Sequence, residues 1–305
     1  MWSRFFTDKS HDRGTLNQLK HLVHRTAVGA NPKHNMKPTE DFLRVVMCAH
    51  IAAAAKQCKT SCDDPDDCVT VAHQIVKSFV RINHPKESAS SPTCINDSKF
   101  NYATDLMTMC LLWHGFHDAV KEGDGDRIIM YWKVLLPVFQ QHGNYNYAKE
   151  AFMLLAQTYF LSERKVMELK WSRTVNTTGR GGCNIPCDLH MEHLNRRLKY
   201  MLGNIGPNAN PHTIERVAKS LGVVDHVCKN FEEESDAVVN KPYCSYPSFS
   251  KDFKKMFDLL QEDEVFTIHE GRTLSSYNKH PFLASLKWTN ISSWVKSKLL
   301  QLKVH

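Results

Sequence analysis

The chain has no apolar run of the roughly 18 to 20 residues that a membrane-spanning helix needs. Its strongest hydrophobic stretch, VVMCAHIAAAAK (Val45 to Lys56), is too short and carries His50. The first residues, MWSRFFTDKSHDRG, have neither a long apolar core nor a small-residue cleavage site, so they do not read as a secretory signal. There is no low-complexity tract, no Gly-x-Ser-x-Gly element and no Gly-Lys-Ser/Thr of a P-loop. No Cys–His pair stands out as a nucleophile with its base. Regular cysteine spacing is missing too. The ten cysteines follow no framework, and several, Cys48 and Cys110 among them, lie in apolar helical runs where a free thiol packs as a small hydrophobe. These absences predict a soluble, unsecreted, intracellular chain in a reducing compartment, with no membrane partner.

What is present is a chain of 305 residues, 42% hydrophobic and 23% charged, long enough for one large core or two modest ones. The net charge of +7 leans weakly toward an anionic partner.

The periodicity is helical almost throughout, which predicts a mainly α, multi-helical fold with little or no sheet of its own. TEDFLRVVMCAHIAAAAK predicts a helix with Thr39 as its N-cap and two acids in the first turn. CKTSCDDPDDC reads as a solvated loop, and HPKESASSPTCINDS as a flexible boundary. Lys99 to Lys121 predicts a core helix, apolar on most faces. EGDGDR turns the chain into DRIIMYWKVLLPVF, where Pro137 should kink or end the helix. YNYAKEAFMLLAQTYFLS predicts another buried helix, and NTTGRGGCNIP a glycine-containing loop. Further helices are expected near His212 to Leu221, Asp225 to Glu234 and Lys251 to Leu260, with a loop at NKPYCSYPS between the last two. DEVFTIHEGRTL is the one place where a short strand is expected.

The most informative stretch is CDLHMEHLNRRLKYMLG, Cys187 to Gly203. Pro186 suits the first turn, Asp188 suits the positive end of the dipole, and Gly203 is a natural stop. Cys187, Met191, Leu194, Leu198 and Met201 recur at three- and four-residue steps and predict one buried stripe. Glu192, Asn195, Arg196 and Lys199 recur at the same steps on another face. Three readings of this helix stand side by side. It is a solvated charged face with a Glu-to-Arg pair. It is an acid that holds a divalent metal while cations grip a phosphate backbone. Or it is part of a zinc site formed by Cys183, Cys187, His190 and His193, for which Cys183 would have to fold back from the preceding loop. Two weaker features are Asp124 and Asp126 in GDGDR, where Asp126 as N-cap is the commoner outcome, and TTGRGG, a glycine hinge that could touch a phosphate.

EGDGDRIIMYWKVLLPVF, NYNYAKEAFMLLAQ, WSRTVNTTGRGGCNIPCDLHMEHLNRRLK and SLGVVDHVCKNFEEE together resemble domain-of-unknown-function family 6589, whose long members look like transposon-derived proteins. The resemblance runs from near Trp2 to about Glu234. It implies a helical transposase-like region over 1–235 and a C-terminal helical extension over 236–305. A second likeness bears on mechanism. EHLNRRLK is similar to the helix that carries the last carboxylate of ribonuclease H-like transposases, which matches that acid to Glu192, with Asn195, Arg196 and Lys199 beside it. In such enzymes three acids hold two Mg²⁺ or Mn²⁺ ions that activate the attacking oxygen and stabilise the leaving one.

The upstream GDQ-like and DWH-like segments of long family members have no match here, and Asp124 and Asp126 match neither. The resemblance therefore implies a C-terminal portion of a transposase-like protein, comprising the helical insertion and the final acid helix. Such a portion is catalytically incompetent alone, located in the nucleus rather than the cytoplasm, and has weak sequence-independent DNA binding through Arg180, Asn195, Arg196 and Lys199. The rival reading is a helical protein-interaction module, with or without zinc. The oligomeric state stays open.

Overall fold

The structure, a computed structural model, describes residues 5–6, 11–32, 34–58, 65–80, 96–208, 210–234, 248–275 and 288–302. Among these the chain forms eleven α-helices and one two-stranded ribbon. The helices are α1 (Leu16–Leu22), α2 (Met36–Gln57), α3 (Pro65–Phe79), α4 (Ser98–Glu122), α5 (Gly125–Gln141), α6 (Tyr145–Phe160), α7 (Glu163–Trp171), α8 (Cys187–Ile205), α9 (Pro211–Glu234), α10 (Phe249–Glu262) and α11 (Trp288–Leu302). The strands β1 (Thr174–Val175) and β2 (Ile185–Pro186) pair antiparallel, Thr174 opposite Pro186. The mainly α expectation holds. No helix among the described residues is long and apolar enough to cross a membrane.

Two compact units divide the chain: residues 1–117, 127–161 and 247–305 in the first, 118–126 and 162–246 in the second. In the first unit α2 is the central element. Phe42, Val45, Val46, Ala49, Ala53 and Ala54 are buried along it, and the small alanines let α10 lie close, with Met256, Leu259 and Leu260 facing in. From α4 come Phe100, Leu106, Met107 and Cys110, all buried. Burial pushes the Cys110 thiol up to about 12, so it packs as an apolar group and does not act as a nucleophile. Arg25 crosses the same core, donating to Asp41 at 2.6 Å and Asp252 at 2.8 Å, and so ties the segment after α1 to α2 and α10. A smaller cluster gathers Leu136, Ala151 and Phe152 around Trp132 and Trp294.

Several local readings need correction. Helix α2 begins three residues before Thr39, with Asn35 as N-cap and no acid in its first turn; Thr39 is buried and donates back to the Asn35 carbonyl at 2.8 Å. Part of CKTSCDDPDDC is helical, because Pro65 opens α3; Cys62 lies outside the described residues, as do most of HPKESASSPTCINDS and NKPYCSYPS. Pro137 sits inside α5 without ending it. Asp126 lies in the first turn of α5, one residue after its start, and is not the N-cap. The two helices expected around Gly222 are one, since a single glycine between good flanks only weakens a helix. DEVFTIHEGRTL forms turns, not a strand: the Val265 and Thr267 amides return to the nearby Leu260 and Glu264 carbonyls, and the His269 amide goes to the Asp97 carboxylate.

Candidate functional site

The second unit is built around α8 and the ribbon that leads into it. Helix α7 ends at Trp171, and Ser172 and Arg173 each return a side-chain hydrogen bond to the Leu169 carbonyl, at 3.1 Å. At the next residue, Thr174, the chain begins to pair as β1 with β2, and the first amide of α8, at Cys187, donates to the Arg173 carbonyl at 3.0 Å. The ribbon therefore fixes where α8 starts relative to the end of α7.

The loop between the strands, TTGRGG included, is held by its own side chains. Asn176 Oδ1 accepts from the Thr178 and Gly179 amides at 3.1 and 2.8 Å, and Asn176 Nδ2 donates to the Arg180 carbonyl at 2.8 Å. Gly179 and Gly182 take φ of +69° and +68°, a conformation that side-chain-bearing residues avoid. Asn184 anchors the far end by donating to the Lys121 carbonyl at 2.8 Å. Arg180 is thus presented, exposed, from a defined turn.

Helix α8 starts at Cys187 with Pro186 as N-cap, and Asp188 lies in its first turn. It runs past Gly203 to Ile205; Gly206, at φ +64°, ends it instead. The expected buried stripe is only half realised. Cys187, Leu194, Leu198 and Met201 are half-buried, Met191 is 52% exposed, and no residue of α8 is buried. The physical reason is that, among the described elements, the main neighbours of α8 are α9, the short ribbon and the 3₁₀ turn Gly206–Asn208. Across the described residues of this unit just three apolar side chains, Ala119, Val120 and Leu221, are buried.

The polar face lies where the sequence puts it. Glu192, Asn195, Arg196 and Lys199 are all exposed, and none makes a side-chain hydrogen bond or ion pair with another described residue. Glu192 and Arg196 therefore share a face without forming the expected ion pair. Over 171–220 seven Lys and Arg stand against three acids, so this stretch of sequence carries net positive charge. Such a face offers free cationic donors to an incoming anion, with one carboxylate among them.

The metal readings meet a different outcome. Cys183 and His193 are exposed, Cys187 and His190 half-buried, and the structure does not bring the four together. Among the described residues no group of three or more His, Cys, Asp or Glu is arranged to hold a metal ion. Among the described residues Glu192 therefore has no companion carboxylates arranged with it as a two-metal centre. Asp126 is occupied elsewhere, paired with Lys170 at 2.6 Å.

Two residues of this unit escaped the sequence reading. Trp171 is 70% and Tyr200 75% exposed. The signal was available: Tyr200 falls one turn after Arg196, off the apolar stripe, where burial does not account for an aromatic ring.

Residues 1–240 match the model of a family of unknown function, DUF6589, and the chain belongs to that family. No curated protein and no solved structure matches it.

Proposed function

We propose that the chain is part of a transposon-derived, DNA transposase-like protein, and that its second unit holds the nucleic-acid backbone without reading sequence. The observation that carries this is the unpaired, exposed polar face of α8, with Arg196 and Lys199 one turn apart and Arg180 on the adjoining loop. Unpaired, exposed cations bind phosphate by releasing counterions, which gives affinity without specificity. No zinc finger or groove-reading helix is evident in the sequence, so base-edge recognition has no vehicle here. The nucleus is the compartment that fits this reading.

The chemistry of the related enzymes needs Mg²⁺ or Mn²⁺ held by three acids, and the described donors do not fit it, Glu192 being the one acid that matches. No catalytic step is derived for this chain. DNA binding without cleavage is the activity proposed.

The second reading, a helical protein-interaction module, is favoured by exposed Met191, Val223 and Val227 on α8 and α9. Fluorescence anisotropy with two labelled duplexes of unrelated sequence separates the two. Micromolar binding of both at low salt, weakened by Arg196→Ala with Lys199→Ala, supports backbone binding. Undetectable binding of either duplex supports the interaction module.

A further inference from the structure

Beside the phosphate-binding cations, the second unit displays two large rings to solvent. Tyr200 lies four residues after Arg196 on α8, so ring and guanidinium share a face, with Leu189 and His193 continuing it toward the N-terminus, all exposed. Neither the Tyr200 hydroxyl nor the Trp171 indole N–H has a hydrogen-bond partner among the described residues. Trp171 closes α7 two residues before Arg173, whose carbonyl accepts the first amide of α8. Trp171 therefore projects from the end of α7 and Tyr200 from the C-terminal half of α8, and both lie in the stretch where cations outnumber acids.

Aromatic rings beside Lys and Arg on a convex helical surface suit one class of ligand best. Bases buried in a duplex offer no open faces to them, whereas unpaired bases do, and stacking on such rings is tolerant of sequence. An apolar partner would leave the surrounding charge without a role. We infer that Trp171 and Tyr200 are stacking platforms for unpaired nucleobases, making the second unit a binder of single-stranded or locally opened nucleic acid. The inference rests on the backbone-binding reading and adds to it the state of the strand that is bound: cations hold the phosphates, rings hold the bases.

The experiment uses the full chain and labelled strands of about 16 nucleotides, the upper end of single-strand site sizes for small binding folds. The probes are oligo-dT, oligo-rU, an abasic deoxyribose-phosphate strand of equal length, and a blunt duplex. The proteins are the natural sequence, Trp171→Ala, Tyr200→Ala and Tyr200→Phe. All three substitutions are at exposed positions, and thermal unfolding checks that they leave the fold intact. A base-bearing single strand should bind more tightly than the abasic strand. Each alanine substitution should weaken that binding about tenfold, in line with the usual worth of one stacked base. Tyr200→Phe should keep the affinity, and abasic and duplex binding should not move. Ring dependence with oligo-dT alone assigns DNA, with oligo-rU alone RNA; either supports the inference. Equal binding of base-bearing and abasic strands, or alanine variants without effect on both, overturns it while duplex binding leaves the backbone reading standing. If no polynucleotide binds at all, both fall.

Discussion

Arg272 grips Asp97 with two donors, Nε at 2.9 Å and Nη2 at 2.6 Å on the same carboxylate oxygen, across 175 positions of sequence. That oxygen also accepts the His269 amide at 2.9 Å, while the other accepts the Lys99 and Phe100 amides at 3.1 and 3.0 Å and so caps α4. One fully buried carboxylate thereby joins the start of α4 to the turn after α10.

Asp97→Ala should cost about 3 kcal/mol, the lower end for breaking a buried charged pair, because Arg272 stays partly solvated and keeps the Asp263 and Thr267 carbonyls. Burial, the largest influence, pushes the Asp97 carboxyl up, but Arg272 and the His269 and Phe100 amides outweigh it and hold it below its ordinary 3.8. Because the folded value is depressed, this stabilisation is complete above pH 3.8 and is lost as pH falls through the folded value. Urea denaturation of both proteins from pH 7 down to pH 3 checks magnitude and direction. An Asp97→Ala protein as stable as the natural one would contradict the assignment.

His50 makes the fold acid-sensitive over a higher range. Burial is the main cause that lowers it from 6.5 to about 4, against a hydrogen bond from its ring to the Val46 carbonyl that raises it. The folded protein thus keeps the ring neutral while the unfolded chain protonates it, so stability falls as pH drops from 6.5 toward 4. The loss approaches roughly 3 kcal/mol at about 1.4 kcal/mol per pH unit. His50→Leu should remove this part of the slope; an unchanged slope in that window would refute it.

Gly125 touches the end of α7 so closely that an added Cβ would sit 2.6 Å from the Lys170 carbonyl oxygen and 2.8 Å from its Cβ. Backbone cannot swing aside as a side-chain tip can. Gly125→Ala should therefore destabilise by about 1–3 kcal/mol, the usual cost of overpacking. A thermal unfolding midpoint equal to that of the natural protein would show that the approach is looser than described.

No cleavage is expected from the 305-residue chain with Mg²⁺ or Mn²⁺, since a single carboxylate, Glu192, holds such ions weakly. A plasmid-nicking assay reads this directly. Nicking abolished by Glu192→Gln would mean that further acids of this sequence complete the site.

How much of this was legible follows the range of the interactions. The bounds of α4 and the polar face of α8 come from residues three and four apart, and periodicity reports those faithfully. The β1–β2 ribbon has two residues per strand, too few to show alternation, so NTTGRGGCNIP read as loop alone. DEVFTIHEGRTL read as a short strand, yet its His269 amide and Arg272 side chain are claimed by Asp97, far away in sequence and not visible to a local reading. Leu194 and Leu198 are half-buried because burial depends on how many neighbours cover a helix, which its own pattern does not encode. The convergence imagined for Cys183, Cys187, His190 and His193 failed for a related reason: closeness in sequence says nothing about which way a loop folds.

The most direct test of the account is the salt dependence of duplex binding. Three or four phosphate contacts from Arg180, Arg196, Lys199 and their neighbours, at roughly −0.9 each, give a slope of log K against log salt of about −3 to −4. Arg196→Ala with Lys199→Ala should flatten it by up to about two while leaving the unfolding midpoint unchanged, because both side chains are exposed. A slope near zero, or one that the double substitution does not move, would contradict binding of the nucleic-acid backbone by this face of α8.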